Sequence, residues 1–492
     1  MSVARRAAIV AFALAALSVR HIAGTFADLP FAVPFQSDYE EGNLLNALSR
    51  IADGATPYPD PHALPNVINP YGPVAYYLLF LPVAVFGVGF PYARAMILGC
   101  TLLVVALIAF ELRRRTRSTP LALAFGLYFL TIPNVQNWAW LLRVDMLGIV
   151  FTVGGLLLFA RRLDRDEGPG ALPGLLFAAG LLVKPTLVAA PAACFVALVA
   201  RRRFREAAKL AAVTAAAFGV VMGLFAAWTH GAVLVDVFLS HPEPYSLNRY
   251  LVGLAKMSRR SWPLVLLAAV AAANDTSRRR ISLPMLWFLI ATATTATMGN
   301  PGSNFNHFLE WDAALCLTAG IGMGTLLAPS SRAVAVASAV AVAAAMAYGI
   351  RKPREVGDAR SRAGCLQAYD WVRVSAGPNL LTENVGALVL GHKRIWVSNP
   401  YVLAQMVEHA GWSDADLVRM VRERRFDAII VKQDYPADPT ALAQGSSRFS
   451  PGLLQALAAN YAPETGFACL DMDILFKPRL DAPAARIPSP AR

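Results

Sequence analysis

Long apolar runs, broken by short polar or arginine-bearing stretches, fill the first 350 positions of this chain. They lie at about 7–23, 92–111, 120–137, 145–160, 171–184, 186–200, 208–228, 261–273, 282–298, 308–327 and 333–350. Runs of this length with few charges predict membrane-spanning helices, although several fall short of the ~20 residues usually needed. The pattern predicts eleven spans. A further apolar run at 74–90 does not fit the alternation, and is expected to lie in or dip into the outer leaflet. Beyond 350 the pattern changes. "RIWVS" (394–398) and "FDAIIVK" (426–432) read as strands, and "NPYVLAQMVEHAG" (399–411) and "SDADLVRMVRERR" (413–425) as helices.

The ends of the runs orient them. Arginine clusters stand at 111–118, 160–168, 200–209 and 275–280, with Arg332 alone before the last run. Placed together on the cytoplasmic side, they put the N-terminus there as an uncleaved signal anchor. The other side then collects the first loop (24–91), residues 138–145, "KPT" at 184–186, the loop 229–260 and the stretch 299–310. It also receives the C-terminal region.

Composition agrees with this division. Of the 492 residues 56% are hydrophobic and 16% charged, with a mean hydropathy of +0.47. That excludes an ordinary soluble protein. Charged residues make up about an eighth of positions 1–350 and about a quarter of 351–492. The fold expected is an all-α polytopic membrane domain over 1–350, then a small exported soluble α/β domain over 351–480 with an accessory role. A Pro- and Ala-rich disordered tail is expected over 481–492. The net charge of +13 sits mostly in the topogenic arginine clusters, so no nucleic-acid partner is expected. Five cysteines show no zinc-type spacing, and Cys365 and Cys469 are placed to pair if the C-terminal region is exported.

Polar residues concentrated on one side mark an outward-facing site. "FQSDYEEGNLL" places Asp38, Glu40 and Glu41 within four positions. A Ser37–Glu40 capping box accounts for part of this, but a carboxylate at the water–lipid boundary also suits a general base. "LLRVDML" carries Arg143 and Asp145, and "LLVKPTL" carries Lys184. These read either as an ion pair or as holders of a phosphate. "GSNFNHFLE" supplies Asn304, Asn306, His307 and Glu310, residues suited to sugar hydroxyls or phosphate, and "NPYGPVAYY" supplies Tyr71.

In this order, "SDYEEGNLL", "NPYGPVAYYLL", "LLRVDMLGIVFTVGGLLLFAR", "GLLVKPTLVAAPAA" and "GSNFNHFLE" resemble the GT-C superfamily of integral-membrane glycosyltransferases. The likeness is strongest to bacterial relatives of protein O-mannosyltransferases and of the lipid A aminoarabinose transferase. The resemblance implies a polyprenyl-phosphate-linked sugar donor and a lipid, polysaccharide or protein acceptor. It also implies inverting transfer on the exported face of a bacterial inner membrane. It assigns the base to Asp38, with Glu40 and Glu41 as rivals, and a second acidic site to Asp145. Arg143 and Lys184 would hold the lipid phosphate, with His307 behind them. No cofactor is required by the family, while the three first-loop acids leave Mg²⁺ or Mn²⁺ open. A lipid-linked sugar transporter or flippase, and an O-antigen ligase or polymerase, are the alternative readings. A transporter predicts paired, interrupted halves, which the sequence does not display.

Overall fold

The computed structural model describes residues 3–28, 33–328, 333–350, 359–375, 377–432, 448–467, 469 and 473–479. The expected tail at 481–492 lies outside them. Helix dominates, because the apolar runs are rich in Leu and Ala and their breakers stand at the ends. After α1 (Val3–Asp28), the first loop is built rather than loose: α2 (Tyr39–Ala52), an extended stretch to Tyr71, and α3 (Pro73–Phe86). Next come α4 (Phe90–Thr116), α5 (Thr119–Phe129), α6 (Pro133–Trp138), α7 (Asp145–Asp164), α8 (Leu172–Val183), α9 (Ala189–Ala200) and α10 (Phe204–Trp228). The short α11 (Ala232–Leu234) and a π-helical turn lead to α12 (Leu247–Arg260), α13 (Trp262–Ser277) and α14 (Leu283–Thr294). Two 3₁₀ turns, Thr295–Gly299 and Phe305–Phe308, precede α15 (Leu309–Leu326) and α16 (Ala333–Ile350).

Among the described helices, α4, α7 and α10 are long and apolar enough to cross a membrane. The rest of the bundle uses shorter apolar helices, α3, α5, α8 and α9 among them. With 14 residues, α3 reaches only about 21 Å. Its Leu81, Val85 and Phe86 are exposed while Tyr76, Leu79 and Val83 are buried, so it packs on the bundle by one face. The bundle is held by close approach as well as by bulk. A Cβ on Gly322 of α15 would lie 1.9 Å from the Leu267 carbonyl of α13, so only glycine lets these two helices meet backbone to backbone.

The C-terminal region contains α17 (Ala359–Asp370), β1 (Leu380–Thr382), α18 (Val385–Leu390), α19 (Pro400–His409) and α20 (Ala415–Arg422). It closes with β2 (Ala428–Lys432), α21 (Pro451–Asn460), β3 (Tyr461–Phe467) and β4 (Asp473–Pro478). The sheet runs β1-β2-β4-β3, with β1 parallel to β2 and the other pairs antiparallel. A disulfide joins Cys365 to Cys469. The strand expected at 394–398 is not in this sheet. Its backbone instead brackets the first loop: Asn66 N donates to Trp396 O at 2.8 Å and Ser398 N to Asn66 O at 2.9 Å. Phe35 of the first loop is packed in the core between α17, α18 and the sheet. First loop and C-terminal region thus share one interface, and the site lies beneath it.

Candidate functional site

The turn Pro70–Tyr71–Gly72–Pro73 is set against the end of α8. A Cβ on Gly72 would lie 2.0 Å from the Leu182 carbonyl, and Gly72 N donates to Val183 O at 3.2 Å. No other residue fits there. The contact brings Tyr71 onto the same cavity wall as Lys184, at the C-cap of α8.

Asp38, not Ser37, caps α2. Its Oδ1 accepts Glu40 N at 3.2 Å, and Ser37 N reaches Glu41 Oε2 at 2.6 Å. The expected capping box is therefore displaced by one residue along the chain. That shift separates the three acids. Glu41 turns inward to a fully buried pair with Arg94 of α4, at 2.7 and 2.8 Å, and accepts Leu142 N at 2.8 Å. It does not reach the cavity, which corrects its reading as a catalytic candidate. Its part is structural, tying the first loop, α4 and the segment before Arg143 together.

Asp38 faces the cavity. Arg143 donates Nη1–H to Asp38 Oδ1 at 2.6 Å, so both bonds fall on one oxygen and Oδ2 carries none. Arg143 lies over Trp138, 5.3 Å from its ring centre. Asp145, at the start of α7, is buried beneath. It accepts Lys184 Nζ at 2.6 Å and Asn306 Nδ2 at 3.0 Å, and lies 3.6 Å from Arg143 Nε. Asp145 is absent from the cavity wall, so its reading as a second catalytic acid gives way to a positioning one. It gathers both cations and an amide from three separate elements.

Glu40 lies on the wall, held by Asn43 Nδ2 and Asn399 Nδ2, each at 3.3 Å. Asn399 also caps α19 and accepts Tyr39 Oη–H at 3.1 Å. The C-terminal region thereby sets a first-loop carboxylate, a contact no sequence pattern announces. Burial holds the Glu40 carboxyl above the usual carboxylate range; Arg143 opposes the rise and Asp38 adds to it. A folded pKa above the unfolded one means a stability present below the unfolded value and lost as pH rises through the folded one. Glu40→Gln is therefore expected to melt at a higher temperature than wild type at pH 7–8. Melting in detergent from pH 4 to 8 checks this: the gap closes toward pH 4, and a gap that widened there would contradict it.

The remaining wall comes from the 299–307 loop, His241, and Tyr401 and Arg448 of the C-terminal region. His307 Nδ1 lies 2.8 Å from Thr297 Oγ1. The Thr297 hydroxyl already donates to Thr294 O at 3.0 Å, so the ring donates Nδ1–H to it and keeps Nε2 as an acceptor. Burial, then the Lys184 charge, pushes His307 well below its ordinary pKa. It is a neutral imidazole suited to a hydroxyl. Asn304 lies on the wall and spends its Oδ1 on Phe305 N at 2.8 Å. Asn306 also lies on the wall, and its amide is the one held by Asp145. Glu310, a candidate for sugar hydroxyls or phosphate, is turned away by the change from 3₁₀ turn to α15. It accepts Trp287 Nε1 at 3.0 Å and Ala190 N at 3.1 Å, off the cavity.

The cavity these residues enclose measures about 400 Å³, with Asp38 and Glu40 sharing its wall with Arg143, Lys184 and His307. It offers a proton acceptor, two fixed cations and neutral hydrogen-bonding groups. The three first-loop acids do not converge on one point: Glu41 is turned to Arg94, and Asp38 shares the cavity wall with Glu40 alone. Among the described residues no group of three or more His, Cys, Asp or Glu converges to hold a metal.

Residues 69–230, about a third of the chain, match the family model described as dolichyl-phosphate-mannose-protein mannosyltransferase. The match begins at Asn69 and includes Tyr71, Arg143, Asp145 and Lys184; Asp38 and His307 lie outside it. Comparison with curated proteins returned no match. Among solved structures, the chain is similar to ArnT from Cupriavidus metallidurans bound to undecaprenyl phosphate. The TM-score is 0.62 at 11% identity, over 94% of this chain and 98% of that one. The apo state of ArnT gives 0.61 at 13% identity, over 94% and 96%. The archaeal oligosaccharyltransferase AglB from Archaeoglobus fulgidus, in complex with an inhibitory peptide and a dolichol-phosphate, gives 0.57 at 12%, over 96% and 74%. The chain has the GT-C fold.

Proposed function

We propose that this protein transfers a sugar from a polyprenyl-phosphate donor to a hydroxyl acceptor on the exported face of a membrane, with inversion. The observation that carries the reading is the pairing of Asp38 with Arg143, and of Arg143 and Lys184 with Asp145, at one cavity wall. Asp38 Oδ2 accepts the acceptor hydroxyl's proton as the acceptor oxygen bonds to the anomeric carbon. The bond from that carbon to the phosphate oxygen breaks, and the electron pair leaves on the polyprenyl phosphate. Arg143 and Lys184 meet that growing charge, held in place beforehand by Asp145. Neutral His307 orients a sugar or acceptor hydroxyl through Nε2. Glu40 stands next to the base as its rival. No step uses a metal.

Support comes also from the matched family, from the undecaprenyl phosphate in ArnT and from the dolichol-phosphate in AglB. In this reading 1–350 is an eleven-span membrane domain with α2 and α3 at its outer surface. Residues 351–480 form an exported domain that closes the cavity, and the Cys365–Cys469 disulfide suits an oxidising compartment such as the periplasm of a bacterial cell. The sugar's identity is a matter of cavity shape, and the acceptor a lipid, polysaccharide or protein.

The phosphate assignment is tested by binding. Thermal stabilisation of the detergent-solubilised protein by polyprenyl phosphate is titrated for wild type and Lys184→Gln. Losing one charge-assisted contact is expected to weaken binding about 10–100-fold. Unchanged affinity would move the phosphate away from Lys184.

A further inference from the structure

Helix α12 carries charge where topology does not ask for it. It lies between α10 and α13, after the short α11, and it packs at the cavity end of the bundle: a Cβ on Gly253 would meet Met298 at 3.2 Å. Its inward face is Tyr250, Gly253, Leu254 and Met257, buried or partly so. Leu247 and Leu251 are exposed on one flank of that face, and Val252 on the side away from it. Arg249, Lys256 and Arg260 run along the other flank, with Arg259 beside Val252. Two of these cations are already committed within the protein: Arg249 donates to Ser303 O, and Lys256 lies 4.7 Å from the Phe305 ring centre. Arg259 and Arg260 are exposed and, among the described residues, make no ion pair or hydrogen bond.

Exposed tryptophans fix the depth. Trp228 ends α10 and Trp262 opens α13, both about half exposed, at the two chain ends that bracket α12. Tryptophan at that position marks the boundary between hydrocarbon and headgroups. Exposed leucines on one flank and cations on the other, at headgroup level, are the arrangement of a helix lying in the interface with its buried face on the protein.

We propose that α12 binds the phosphate of anionic phospholipids in the leaflet on the cavity side, through Arg259 and Arg260. The unpaired guanidinium groups match a phosphodiester in charge and geometry, and the exposed leucines seat the helix among the acyl chains. Arg249 and Lys256 grip Ser303 and Phe305, in the loop that carries Asn304, Asn306 and His307. A bound headgroup therefore steadies one wall of the cavity.

The test uses the full-length protein in detergent and dansyl-labelled phosphatidylglycerol, read by energy transfer from tryptophan. Saturable binding is expected, with phosphatidylcholine competing poorly. Arg259→Gln/Arg260→Gln is expected to weaken it about 30-fold, roughly fivefold for each cation lost. Arg259→Lys/Arg260→Lys keeps the charge and is expected to restore most of the binding, which separates headgroup recognition from loss of fold. Equal competition by phosphatidylcholine, or a double Gln variant that binds as wild type does, would overturn the proposal. So would stoichiometric displacement by polyprenyl phosphate, which would assign the cations to the sugar carrier instead.

Discussion

Asp38→Asn is expected to lower kcat for sugar transfer by about 10²–10⁴-fold, the usual contribution of a positioned general base. The variant should fold, because Asn caps helices as well as Asp and its side-chain oxygen can still accept Glu40 N. It also releases Arg143 from its 2.6 Å partner. Donor affinity should therefore hold or improve while turnover falls. Kinetics with donor and acceptor varied separately check this split. A rise in KM for donor with kcat unchanged would reduce Asp38 to a tether for Arg143 and pass the base role to Glu40.

The second large effect is on stability. Arg94→Met takes the cation from Glu41 at a position with no exposed side-chain surface. Breaking such a pair from one side costs about 3–5 kcal/mol, because the remaining charge stays buried without its partner. The cost reaches the site, since Glu41 also holds Leu142 N, next to Arg143. Loss of monodisperse protein and a much lower melting temperature in detergent are expected. Arg94→Met/Glu41→Leu removes both charges and should recover much of the melting temperature. A single variant as stable as wild type would show that the pair contributes nothing net.

The elements of the site were readable in the sequence; their division of labour was not. Periodicity marks the apolar segments whose ends carry Arg143, Lys184 and His307. Arginine placement leads one to expect those ends and Asp38 on one side, and the four side chains line one cavity. Which of three neighbouring acids faces the cavity depends on the first turn of α2. That turn is set by Arg94, 53 positions beyond Glu41. Glu310 stands three positions after His307, a spacing that makes neighbours only within one continuous helix, and the 3₁₀ turn ahead of α15 interrupts it. In the C-terminal region, β2 was legible from its apolar run. β3, with Pro463, Glu464 and Gly466, lacks a strand's usual composition, and β1 has only three residues. Asn399 announced itself only as a residue before a proline at a helix start. Its hold on Glu40 spans 359 positions and exists only once the first loop and α19 are folded together.

The most direct test of the account is transfer itself. Purified protein, reconstituted in vesicles, is given radiolabelled polyprenyl-phosphate sugars and a membrane extract as acceptor, with Asp38→Asn alongside. The account predicts label on an acceptor in wild type, with the anomeric configuration inverted, and a loss of that label in the variant. Label that crosses the bilayer while still on its polyprenyl phosphate, with none reaching any acceptor, would contradict it and describe a flippase.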